Sequence, residues 1–509
     1  MKIFPVILSL AIISGCRNTV SDENQISNPS AADTGFNKRF SVKNMHDDLF
    51  LLWSAIQEVH PGYGFYTSTD SLKKVYEKTY ASIRSPLSES QFMDVVYPFL
   101  CQLRCGHTQL KHSATYKPPT EKQPHLPFHV LVRHHRAWIT THETEQMNTG
   151  DEIISINGVP VSAIIDHGYD LYCGDGYNET FKELFLSEYD GFEDACNKYY
   201  HWTGPYRIEL FTTGGATDHI TANPAEKSDF ASGASQKKVN NFSNWVASPV
   251  IPEDRLRFLK DSSIALLKIP PFAYTDTGIY KVAFKTIKEK GIKYLILDMR
   301  HNTGGDIRVA SQLLSYLADV PYNIVNEAKS RLPNLPQNHF AAYFDTSITS
   351  NFNLGFKSGS RENEWYHIDV TSAFGRLYGP FPLAKEAHFD GYLLVLIDGA
   401  TFSSGAIFTA ALKTQRKNVK FIGRETAGSE EGCNGMTIQE LTLPNTKIVV
   451  DFPWMRVVSV AKDPVPGHGI MPDIYIDYGP EDVVTDNDLD LKKALDYFRF
   501  ALSGEGKGR

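Results

Sequence analysis

Two apolar runs of strand length, KYLIL at residues 293–297 and LLVLI at residues 393–397, constrain the fold of this chain most. Each leads into a turn and then a helical pattern. A strand that is apolar without alternation is buried on both faces, the situation of a parallel sheet with helices on either side. The pattern recurs along residues 251–485. SSIALLKI reads as a strand, IYKVAFKTIKEKG as an amphipathic helix ending at Gly291, and IRVASQLLSYLA as another helix. Alternating strands and helices imply a largely parallel sheet with covered faces.

The turn after the second run holds Ser403 and Ser404, and Ile407, Phe408, Ala411 and Leu412 then share one helical face. A serine at that place has two readings. It caps the helix, or it presents a nucleophilic hydroxyl beside unpaired N–H groups at the positive end of the helix dipole, where an oxyanion is stabilised. The turn after the first run contains Gly304 and Gly305. Paired glycines let a backbone approach a ligand closely and expose its N–H groups. A phosphate cradle and an oxyanion hole both fit, although neither a P-loop nor a GxGxxG pattern is present.

The rest of the chain divides around this core. Residues 41–117 read as helical, with DDLFLLWSAIQEV, SLKKVYEKTYASI and ESQFMDVVYPFLCQL in apolar helical spacing. Pro118, Pro119, Pro124 and Pro127 mark a boundary. Residues 118–225 read as β-rich, with a tight-turn signal at Asn157-Gly158 and a closing hairpin in residues 206–223. Within them, residues 165–205 are rich in Tyr, Asp and Gly and read as an insertion. Residues 226–250 are a polar linker. Residues 327–378 are polar and aromatic and read as an insertion or lid, and residues 486–509 as a C-terminal helix and tail.

At the N-terminus Lys2 precedes an apolar stretch, residues 3–13, too short to span a bilayer. It ends in Ile13-Ser14-Gly15-Cys16. Two readings stand: an ordinary signal peptide, or a lipoprotein signal (residues 1–15), which the run resembles, with lipidation on Cys16. Residues 16–40 are polar and read as a tether, reaching roughly 25 Å for about 23 flexible residues. A net charge of −8 with no basic stripe argues against nucleic acid as a partner. Five cysteines remain, Cys101, Cys105, Cys173, Cys196 and Cys433, and their spacing fits no zinc pattern. Cys173 with Cys196 is the expected disulfide if the compartment is oxidising.

The motifs DMRHNTGGD (298–306), ATFSSGAIF (400–408), GRETAG (423–428) and GHGIMPDI (467–474), in that order, resemble the C-terminal processing, or tail-specific, serine peptidases. The stretch TGDEIISINGVPVSAI (149–164) resembles part of a PDZ domain. The resemblance implies an α/β multidomain protein: an N-terminal helical region, a PDZ-like domain and a ClpP/crotonase-like peptidase core. It assigns Ser403 as nucleophile, the N–H groups of Ser404 and of Gly304 or Gly305 as oxyanion donors, and a supporting role to Thr426. It implies no metal and no cofactor, and protein or peptide substrates.

The chain departs from the branch that uses a Ser-Lys dyad. Ser429 stands where the lysine would be, and Ala406 where a glutamate often follows the nucleophile by three. Cys105-Gly106-His107-Thr108 resembles the tricorn-type branch instead, which implies His107 as general base. Read alone, His107 is a structural histidine at a helix end, where a cation meets the dipole favourably. As base it would lose activity as pH falls through about 6 to 7. The group that would orient it is open among Asp463, Glu425, Glu430 and Glu431, or a carbonyl or neutral side chain in place of an acid, and Asp473 reads as structural. The expectation is a lipid-anchored serine endopeptidase of the bacterial envelope, facing the periplasm or the cell surface. The alternative is an inactive carrier of peptides or apolar ligands on the same fold.

Overall fold

The computed structural model describes residues 38–117, 124–225, 239–260, 262–333 and 339–502. Residues 1–37, which hold the stretch read as a signal, Cys16 and most of the stretch read as a tether, lie outside these residues. The fold is mixed α/β with several sheets.

Three helices open the described chain: Val42–Val59, Thr69–Ser82 and Glu89–Cys101. Ser41, Ser68 and Ser88 cap them, each accepting an N–H from the third residue on. In the first, Met45, Leu49, Leu52 and Ile56 form the buried stripe that helical spacing dictates. Asp48 on the same helix is buried and accepts from Asn445 N, Thr446 N and Thr446 Oγ1, which ties this region to the core. After the third helix the chain turns, and the strand Gln109–Lys111 pairs antiparallel with Val449–Pro453 of the core. His107 lies in that turn.

The central sheet has seven strands in the order Trp245–Ala247, Leu256–Leu259, Ile264–Lys268, Tyr294–Asp298, Tyr392–Ile397, Val419–Gly423, Ile474–Tyr475. It is parallel from the third strand onward, with Leu297 opposite Val395 and Leu396 opposite Ile422. Residue alternation sends Leu295, Leu297, Val395 and Ile397 into the main core and Ile296, Leu394 and Leu396 onto the face covered by helix Leu489–Leu502. That double cover is the reason these runs are apolar throughout. The strands Tyr294–Asp298 and Tyr392–Ile397 are neighbours, so the turns at their C-terminal ends meet. In an open α/β sheet that edge is where ligands bind.

A six-strand antiparallel sheet, Phe128–Arg133, Arg136–His142, Glu152–Ile156, Tyr206–Phe211 and Thr217–Ala222 in order with Val159–Pro160 paired to the third, forms a second unit with its own core. Asn157 and Gly158 take positive φ in its tight turn. Helix Thr180–Glu188 docks this unit on the body built around the central sheet. Its Glu183 forms a buried ion pair with Arg424, and Glu188 accepts from His301 at 2.9 Å.

Two expectations need correction. Residues 327–378, expected as an insertion or lid, are not a lid. Strand Glu327–Ser330 and the hairpin Phe356–Glu362/Trp365–Val370 join Arg456–Val458 and Gly432–Asn434 in one sheet, and Phe352 packs on buried Trp454. The aromatic content that looked like an insertion is the packing of that layer. Cys173 is not bonded to Cys196. All five described cysteines are free, Cys196 lies in the core of the β-rich unit, and Cys173 lies in the main core with its sulfur 3.5 Å from that of Cys101.

Candidate active site

Ser403 follows strand Tyr392–Ile397 through a turn held by Asp398. That carboxylate accepts from Ala400 N and His301 N, and Thr401 Oγ1 donates to Met299 O on the neighbouring strand. The serine takes φ 53°, ψ −126°, a conformation that costs a non-glycine residue about 1–3 kcal/mol and persists where the surroundings enforce it. It occupies the N-cap position of helix Ser404–Gln415 yet makes no capping bond. Its Oγ lies 3.0 Å from His107 Nε2, across 296 residues of sequence. The helix-cap reading of Ser403 is therefore wrong.

The His107 ring is buried and stacked on Phe402, centroids 4.5 Å apart. Burial lowers its pKa from 6.5 to about 4. The imidazole is thus neutral at neutral pH and able to accept a proton, and the ionisation expected near pH 6 to 7 moves down. Its Nδ1 is buried without a hydrogen-bond partner among the described residues.

None of the acidic residues named from sequence is hydrogen-bonded to that nitrogen. Glu425 accepts from Gly469 N at 2.8 Å and pairs with His468 at 3.2 Å. Glu431 accepts from Tyr66 OH at 2.6 Å and Gly467 N at 2.8 Å. Glu430 pairs with Lys413 at 2.7 Å, and Asp463 is exposed. Thr426 Oγ1 donates to Gly428 O and accepts from Ile470 N, shaping the loop that packs on Ser403 N and Ala406. Ser429, in the place of a dyad lysine, lies 3.4 Å from Tyr66 OH.

The glycine turn sits directly against the serine. A Cβ on Gly304 would lie 2.6 Å from Ser403 Cβ and 3.0 Å from Ser404 N. The two glycines differ in what their N–H groups do. Gly304 N donates to Asn302 Oδ1 at 3.0 Å and is occupied. Gly304 O accepts from Phe272 N. In a trans peptide the N–H points opposite the C=O, so Gly305 N–H faces away from Phe272. Ser404 lies close to Gly305, since its Oγ donates to Gly305 O at 2.8 Å. Gly305 N–H and the first-turn N–H of Ser404 are therefore the pair of donors beside Ser403. Asn302, fully buried, anchors this turn by donating to Ile269 O and Pro270 O.

Sequence reasoning missed Asn302, Phe402 and Asp175, whose Oδ1 accepts from Gly106 N at 2.7 Å. Asn302 lies inside a recognised motif. Asp175 carries no local signal at all.

A neutral buried imidazole on a serine hydroxyl, beside two backbone donors, is the equipment of a serine-type hydrolase. Residues 263–476 match the model of peptidase family S41. The enzyme is a serine-type peptidase. Among solved structures, mature CPAF aligns with a TM-score of 0.60 at 16% identity, covering 91% of this chain and 98% of that one. Mature CPAF complexed with lactacystin aligns at 0.58 and 15% identity, with 91% and 98% covered. These likenesses establish a shared fold across nearly the whole chain. No curated protein sequence matches.

Proposed function

We propose that this chain is an endopeptidase of the bacterial cell envelope that works through an acyl-enzyme on Ser403 with His107 as general base. The observation that carries the reading is the 3.0 Å contact between His107 Nε2 and Ser403 Oγ. Ser403 Oγ attacks the scissile carbonyl as its proton passes to Nε2. The oxyanion is held by the Gly305 and Ser404 N–H groups. The imidazolium then protonates the leaving amine, and water, deprotonated by the same ring, releases the acyl group. The PDZ-like unit takes an extended segment or chain end by strand addition. Acyl chains on Cys16 hold the enzyme at a membrane through the tether.

Hydrolysis of an unstructured polypeptide tests the chemistry. Cleavage should stop with a serine-directed fluorophosphonate and be indifferent to a metal chelator. Chelator-sensitive, fluorophosphonate-resistant cleavage would overturn the reading. Anchoring is tested separately: Cys16→Ser should move the protein from the membrane to the soluble fraction, and an unchanged distribution would remove the lipid anchor.

A further inference from the structure

Among the described residues no carboxylate is bonded to the His107 ring, but a carboxylate holds the turn that carries it. Asp175 is 3% exposed, and its Oδ1 takes the N–H of Gly106, the residue before the histidine, at 2.7 Å. Asp175 sits in a strap between helices Val161–Tyr169 and Thr180–Glu188, and the strap is fastened along its length. Gly176 N donates to Arg104 O at 3.0 Å, Tyr177 N to Gly467 O at 2.7 Å, Asn178 Nδ2 to Thr426 O at 2.8 Å and Thr180 Oγ1 to Glu425 O at 2.9 Å. Gly176, at φ +60°, is pressed so close to Gly467 that a Cβ would lie 2.1 Å from its carbonyl oxygen. The strap has no room to slide, so the carboxylate is a fixed point.

On its other side Gly106 meets Phe402, where a Cβ would come within 2.8 Å of the ring. Phe402 in turn stacks on His107. The turn is thus clamped between Asp175 and Phe402. Among the described residues Asp175 Oδ2 is buried with no close hydrogen-bond partner, and the Ser429 backbone N–H faces the carboxylate. The charged and titratable groups around the carboxylate are Arg456, Glu431, Cys105 and Cys433.

We propose that Asp175 is a positioning residue of this peptidase: by fixing the Gly106 N–H it sets His107 Nε2 against Ser403 Oγ, in place of an acid on Nδ1. The inference rests on His107 being the base. It requires an acceptor at residue 175, not a charge. Displacement of a catalytic group by about 1 Å costs on the order of 100-fold.

The test compares Asp175→Ala, Asp175→Leu and Asp175→Asn, with active sites counted by fluorophosphonate titration. Ala and Leu should lower kcat per titrated site by about 10- to 100-fold with little change in KM, and Asn, whose amide oxygen still accepts, should restore most of it. In the Ala variant the acid limb of kcat/KM should also move from about pH 4 toward the ordinary value of about 6.5 as the ring gains water. Leu restoring as well as Asn, Asn failing like Ala, or losses that vanish per titrated site would each overturn the proposal. Should the Ala variant not fold, Leu against Asn makes the same comparison. His107→Ala, measured alongside, separates the two ideas. An active His107→Ala removes the base itself, whereas an inactive one with a fully active Asp175→Ala removes only the positioning role.

Discussion

Ser403→Ala should lower kcat for peptide hydrolysis by at least about 10⁴-fold with KM little changed, since the reaction loses its covalent intermediate while the substrate contacts remain. Ser404 should not substitute. Its hydroxyl donates to Gly305 O and its place is in the first turn of the helix, so its part in the site is backbone and structural. The residual rate should reflect the Gly305 and Ser404 N–H groups acting on a water-attacked carbonyl. Steady-state kinetics on one peptide decide the matter, and turnover within about tenfold of wild type would exclude Ser403 as nucleophile.

His107→Ala should cost about as much, and the Ser403→Ala/His107→Ala double variant little more than either alone, because the two act as one unit. Wild-type pH dependence carries a second signature. The base is competent when neutral, and a group with a lowered pKa is neutral above that lowered value. With burial holding His107 at about 4, kcat/KM should stay level from neutrality down past the usual histidine range and fall only as pH approaches 4. Such a weak base serves because the oxyanion forming beside it raises its basicity during the reaction. A limb near 6.5 would mean a solvated, differently placed histidine.

The sequence made the parallel sheet legible, since runs such as LLVLI have no alternation and admit little besides a strand covered on both faces. Motif order put Ser403, the Gly304-Gly305 turn and His107 into one hypothesis, but no spacing rule brings together residues 296 apart. That took the pairing of Gln109–Lys111 with Val449–Pro453 and the adjacency of two parallel strands. The choice between Gly304 and Gly305 was invisible because it depends on the direction of one peptide plane. The acid was not legible either, because no carboxylate among the described residues bonds the imidazole ring. Asp175 acts on backbone from a segment that looked like an insertion. The cysteine pairing failed for a similar reason: Cys173 and Cys196 are near in sequence but belong to different cores.

The central claim is that His107 activates Ser403. The most direct measurement is the second-order rate of fluorophosphonate labelling of wild type and His107→Ala, with the modified residue identified by peptide mass spectrometry. The account predicts a single adduct on Ser403, formed in wild type at least about 100-fold faster than in the variant. Equal rates in the two proteins, or an adduct on Ser404, would contradict it.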